Sequence, residues 1–184
     1  MNSFLKKLSQ FATLSAEESL LLEKQLQYKH LKKGDYLLSK GAVCSALHFV
    51  DTGSFYRYKT DAIGHQKVID LYAIHDWVIN HASFTARKPS EDAIQAYEDS
   101  TVYELTIDAI HLLIGQSPTF FQIGKVFEIA TARINFFDED NTPDEKYLFL
   151  LNHKPELIQK FPQKLIASYL KITPETLSRV RRRI

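Results

Sequence analysis

The sequence predicts an α+β protein: an antiparallel β jelly-roll barrel, then a long helix, then a C-terminal helix-turn-helix domain. Three observations carry this expectation. Short β-rich runs separated by turn signals fill residues 36–105, and an apolar stripe at spacings of three and four begins at Pro118. The last twenty-four residues, FPQKLIASYLKITPETLSRVRRRI, read as helix, three-residue turn and helix.

Ser15-Ala16-Glu17-Glu18 is a capping box that opens a Leu-rich helix through about Leu26, and Lys33-Gly34-Asp35 is a turn that closes this region. Strands are expected over 36–38, 47–50, 55–58, 67–71, 93–97 and 101–105, with turns at Gly41, 51–53, 61–64 and Pro89-Ser90. Parallel strands need long crossovers, and runs this close together leave no room for them, so the barrel is antiparallel. It is placed at residues 1–115.

The following segment, 116–140, is expected to be a dimerisation helix. Phe120, Ile123, Phe127, Ala130, Ile134 and Phe137 form an a/d seam over nearly three heptads, which calls for a partner helix from a second copy of the chain. Phe121, Val126 and Ile129 are left to face the chain's own barrel. Asp138 to Asn141 break the helix as a hinge, and Thr142-Pro143-Asp144-Glu145 is a second capping box, opening a helix through about Asn152 and with it the C-terminal domain, 141–184.

In that domain Pro162 can open a helix to about Leu170 with Ile166, Ala167 and Leu170 on one apolar face. Lys171, Ile172 and Thr173 form the turn. Thr173 is an N-cap, Pro174 takes the first helical position, and Glu175 lies where the helix dipole favours a carboxylate. Leu177, Val180 and Ile184 repeat toward the first helix, leaving Glu175, Ser178 and Arg179 on the opposite side. An Arg can bind guanine O6 and N7 in the major groove, and a carboxylate can accept from cytosine N4. Residues 161–184 hold six Lys or Arg against one acid, giving +5, so the other 160 residues of a chain of net charge +1 sum to −4. This local positive end suits phosphates, with Thr173, Lys171, Arg181, Arg182 and Arg183 as the contacts. The alternative for the segment is a surface helix carrying a Glu175–Arg179 salt bridge and a solvated basic tail.

The segment resembles the C-terminal module of the bacterial Crp/Fnr transcription regulators, in which a cyclic-nucleotide-binding-type barrel precedes a dimerisation helix and a helix-turn-helix. Glu175, Ser178 and Arg179 match the Glu-x-x-Ser-Arg pattern of the fumarate and nitrate regulator branch, which implies that they read bases. The resemblance also implies a homodimer on palindromic double-stranded DNA, RNA polymerase as a partner, and a small-molecule effector. Two features depart from it. Lys171 stands where the turn usually has Gly, at a cost of about 1 kcal/mol if the backbone there is left-handed. The chain given ends at Ile184, leaving no residues for a β-hairpin wing, as in a wingless or a truncated protein.

In the family the cyclic phosphate is held by a cassette with a Gly-Glu pair, a short helix and an Arg-Ser pair. The matching stretch here, LYAIHDWVINHASFTARKPSED, has Asp76 as its nearest acid, no Gly-Glu pair, and Pro89-Ser90-Glu91 near the Arg-Ser position. Weak binding of cyclic AMP is therefore expected. Trp77, Arg87 and Ser90 remain as candidates for a pocket that takes an unidentified effector, or the chain has none. No cofactor is evident. The seven His include no His-x-His, and a single Cys44 can hold neither an internal disulfide nor an iron–sulfur cluster, so no metal site is expected and a cytoplasmic location is. No apolar run approaches a membrane span. A regulator, not an enzyme, is the expectation; the rivals are a ligand-sensing module without a DNA role and a cupin-like metalloenzyme.

Overall fold

The computed structural model describes residues 2–129 and 141–184. Helix α1 (Ser3–Leu8) is capped by Asn2 and buries Phe4, Leu5 and Leu8. Helix α2 (Ala16–Gln25) opens on the expected box: the Ser15 hydroxyl accepts from the Glu18 N–H at 3.1 Å, and the Glu18 carboxylate accepts from the Ser15 N–H at 2.7 Å.

Eight strands follow, β1 (Gln27–Leu31), β2 (Tyr36–Leu38), β3 (Ala46–Thr52), β4 (Phe55–Thr60), β5 (Gln66–Tyr72), β6 (Trp77–Val78), β7 (Asp92–Ala96) and β8 (Ser100–Thr106), with α3 (His81–Ala86) between β6 and β7. They pair antiparallel in two four-stranded sheets, β1-β8-β3-β6 and β2-β7-β4-β5. Both sheets are open, so the expected barrel takes the form of two sheets. All six expected strands are present. β1 and β6 are additions: β1 is an edge strand whose first four residues are exposed, leaving no alternation in the sequence, and β6 has only two residues. Gly53 turns β3 into β4 with φ 85°, where a Cβ would stand 2.1 Å from Ser100 Oγ.

Helix α4 (Ile107–Gln116), capped by Thr106, closes the first core, in which Leu47, Phe49, Phe55, Val102 and Leu113 join the sheets to α1 and α2. A 3-10 segment (Pro118–Ile123) leads into α5, helical over 124–129. The C-terminal helices are α6 (Pro143–His153), α7 (Pro155–Lys160), α8 (Gln163–Tyr169) and α9 (Pro174–Arg183). The second capping box is formed, with Thr142 and Glu145 exchanging bonds of 3.3 and 2.7 Å. These helices share a second core with Val68, Leu71 and Ala73 of the β5 region, whereas Tyr72, the alternate residue of β5, faces the first core. The helices thus sit on the outer face of the second sheet. Among the described residues no helix is long and apolar enough to cross a membrane.

A polar cluster lies buried on the first sheet. His48 Nε2 is 2.9 Å from Glu104 Oε2, to which Lys29 Nζ also donates at 2.7 Å. The His48 bond, then that from Lys29, outweigh burial and hold the Glu104 carboxyl at about 2 instead of 4.5. A folded-state value below the unfolded one stabilises the fold above about pH 4.5, and this is lost as pH falls toward 2. The contribution is on the order of 2 kcal/mol, allowing for solvent screening of the half-exposed Lys29. Glu104→Gln is accordingly expected to flatten the fall of the urea midpoint over that acid range; an unchanged slope would refute the assignment.

Candidate functional site

α8 and α9 meet as the sequence predicts. Ile166, Ala167 and Leu170 are buried against Leu177 and Val180, and Ala167 supplies the small side chain at the close approach. Ile184, expected on the same face, is instead half exposed at the chain end, so the apolar repeat stops at Val180. The Lys171 N–H bonds the Ser168 carbonyl at 3.1 Å and the Ile172 N–H bonds the Ala167 carbonyl at 3.0 Å, the paired bonds of a Schellman ending. That ending needs a left-handed residue, and Lys171 has φ 58°. Lys171→Gly is therefore expected to raise stability by about 0.5–1 kcal/mol, read as a higher denaturant midpoint; a lower midpoint would show that the lysine side chain outweighs the backbone cost.

Thr173 caps α9, its hydroxyl accepting from the Thr176 N–H at 3.2 Å, and Pro174 is at the first turn. Glu175 and Arg179 are exposed and Ser178 is partly so, on the side away from Leu177. The Glu175 carboxyl is held below the usual range first by its own backbone N–H, next by Thr173, with the Arg179 charge adding to both. Lys171, Arg181 and Arg182 are exposed beside this face. Arg183, expected to bind phosphate, has its guanidinium on the Asp144 carboxylate of α6 at 2.5 and 2.7 Å, so it joins α9 to α6.

A cleft of about 460 Å³ lies between α3, the Lys88–Asp92 segment and β4. Ser90 lines it, buried, with its hydroxyl accepting from Asn80 Nδ2 at 2.7 Å. The other two pocket candidates are elsewhere. Trp77 is buried edge-on against Phe4, ring centroids 4.9 Å apart, because β6 turns it toward α1; Arg87 donates to the Cys44 carbonyl at 3.0 Å and stands outside the cleft. The cleft's cations are Arg57, Lys59 and Lys88, which sequence reasoning missed. The cue was the alternation in Phe55-Tyr56-Arg57-Tyr58-Lys59, which puts both β4 cations on one face.

Two of these cations already hold carboxylates. Arg57 Nε and Nη2 donate to Asp92 Oδ2 at 2.8 and 2.5 Å, with both residues buried. Burial works against the Arg57 charge, but Tyr72, Asp92 and Asp70 more than restore it. At the rim Lys59 pairs with Glu91, which lowers the Glu91 carboxyl and raises the Lys59 ammonium. Among the described residues no three His, Cys, Asp or Glu side chains are placed to hold a metal ion.

The apolar stripe is oriented differently from the expected seam. Phe120 and Ile123 are buried in the chain's own core, and Phe127 packs on His81 and Phe84, because the 3-10 segment turns them inward. Val126 is also inside, whereas Phe121 and Ile129 are exposed. Ala130, Ile134 and Phe137 lie outside the described residues.

This arrangement of strands and α3 can be set beside known proteins. Residues 28–117 match the cyclic nucleotide-binding domain. A search of curated protein sequences finds no match. Among solved structures the chain is similar to the catabolite activator protein of Thermus thermophilus, at 17% identity over 96% of this chain and 85% of that one, TM-score 0.58. It is similar to FixK2 of Bradyrhizobium japonicum at 15% identity over 86% and 83%, TM-score 0.66. A Eubacterium rectale protein classed with transcriptional regulators of the Crp/Fnr family aligns at 18% identity over 92% and 83%, TM-score 0.63. At these identities the likeness is one of fold. It runs past the cyclic nucleotide-binding domain, since 96% of the chain takes in most of α6 to α9. Within that domain the cleft is bounded by α3 and β4.

Proposed function

We propose that this chain is a sequence-specific DNA-binding transcriptional regulator of the Crp/Fnr type, with an effector-type domain at 1–115, a dimerisation segment at 116–140 and a DNA-binding domain at 141–184. The observation that carries the reading is the exposed Glu175, Ser178 and Arg179 face on a helix fixed by a cap, a Schellman turn and a buried Leu177–Val180 edge. The N-terminal half of α9 enters the major groove, where Arg179 takes guanine and Glu175 accepts from cytosine. Thr173, Lys171, Arg181 and Arg182 meet phosphates. A second copy, met along the helix that starts at residue 124 with Phe121 and Ile129 exposed beside it, places two reading helices on a palindrome. RNA polymerase is the partner such a regulator would engage. Selection of bound duplexes from a random pool tests the reading: a shared palindromic half-site supports it, and recovery of unrelated sequences contradicts it.

Cyclic AMP is not the switch in this reading. A phosphate seated on Arg57 or Lys59 must displace Asp92 or Glu91, and the buried Arg57 pair resists this, which leaves Lys88 as the remaining cation of the cleft. A ligand stabilises the fold by RT ln(1 + [L]/Kd), so cyclic AMP at about 1 mM is expected to leave both the melting temperature and the DNA affinity unchanged. Calorimetric titration checks this, and micromolar affinity would overturn it.

A further inference from the structure

The acid nearest the missing Gly-Glu pair, Asp76, is used for something else. Its carboxylate is buried, with Oδ2 accepting from the Ala73 N–H at 2.9 Å and Oδ1 bound by the ammonium of Lys154, the residue that precedes α7. We propose that the Asp76–Lys154 ion pair couples the cleft to the placement of the C-terminal helices, a role that rests on the reading of α9 as the DNA-contacting helix.

Three observations support the route. Only residues 77–79 separate Asp76 from Asn80, and they are held in the first core, with Trp77, Val78 and Ile79 all buried. Asn80 in turn caps α3, accepting from the Ser83 N–H at 3.2 Å, and donates to Ser90 in the cleft wall. A ligand that displaces Asn80 or α3 therefore pulls on a short, packed segment whose other end is Asp76.

Second, its side chains are less exposed than those of the other ion pair found, among the described residues, between the sheets and the C-terminal helices. Asp76 and Lys154 are 9% and 25% exposed, against 35% and 39% for Glu98 and Lys160, so water screens it less. Third, Lys154 has another carboxylate within reach, Glu156 in the first turn of α7, at 3.9 Å. Exchange of the ammonium from Asp76 to Glu156 would release α7 from the sheet without leaving the lysine unpaired. In the proposal that exchange is the second arrangement of the switch.

Amide hydrogen exchange on the full chain tests this without DNA, so its outcome stands whether or not the chain binds DNA. Lys154→Met is expected to speed exchange in α3 by about tenfold, including the Phe84 amide bonded to the Asn80 carbonyl, although the substitution lies among the C-terminal helices. Ser168→Ala, which removes the bond from the Val68 N–H to the Ser168 hydroxyl, should leave α3 unchanged. Acceleration confined to residues 150–160 would overturn the proposal. Glu156→Gln removes the competing charge and is expected to slow exchange in α3 several-fold, so unchanged or faster exchange there would also overturn it, even if Lys154→Met fails to fold.

Discussion

Asp92→Ala is expected to destabilise the protein by about 3–5 kcal/mol, because it strands a buried guanidinium. Arg57 is 8% exposed, and its Nε and Nη2 both rely on Asp92 Oδ2. Asp70, buried nearby and helping to hold the charge on Arg57, should keep the loss toward the lower end of the range. Urea denaturation should show the midpoint falling with little change in slope, and thermal melting a drop of roughly 6–20 °C. Glu91→Ala is the control: Lys59 and Glu91 are exposed and screened, and their separation should leave the midpoint in place. Equal effects of the two substitutions would mean that the cleft floor is as wet as its rim.

The second large effect concerns binding. Arg179→Ala is expected to lose about 1–3 kcal/mol of specific DNA affinity and to relax the preference at one G·C pair in each half-site. Its side chain is exposed on the same side of α9 as Glu175 and Ser178, and no internal ion pair of Arg179 is found among the described residues that would hold it back from a base. Arg182→Ala should weaken all duplexes alike and reduce the salt slope by about one, as loss of a phosphate contact does. Arg183→Ala should act through α6, because its partner is Asp144. Binding curves on specific and random duplexes at two salt concentrations separate these cases. If Arg179→Ala and Arg182→Ala lose affinity equally on both, the roles are misassigned.

The parts of the fold legible in the sequence were those governed by local chemistry. Ser15 and Thr142 capping boxes, the Thr173 cap and the left-handed Lys171 each depend on residues within a few positions of one another. What escaped was set by partners distant in the chain. β1 is a strand because β8 pairs with it, although four of its five residues are exposed. The Arg57–Asp92 pair joins positions thirty-five residues apart, and neither residue's neighbours announce the other. Phe120 and Ile123 fitted a heptad, yet the same spacing serves packing on the chain's own core, and periodicity alone cannot tell which surface covers a stripe. The exposed face of Glu175, Ser178 and Arg179 was legible because a capped helix with one buried edge fixes which side remains outside.

The central claim is that α9 reads base sequence. Its most direct test is an equilibrium titration of the full chain, at one fixed salt concentration, with the palindromic duplex recovered by selection and with the same bases scrambled. The reading predicts that the palindrome binds at least about a thousandfold more tightly, the lower end of specific over non-specific ratios, and that Arg179→Ala narrows this difference by about 1–3 kcal/mol. Equal affinity for the two duplexes, with the same salt slope, would contradict it and leave the basic end of the chain as a non-specific electrostatic surface.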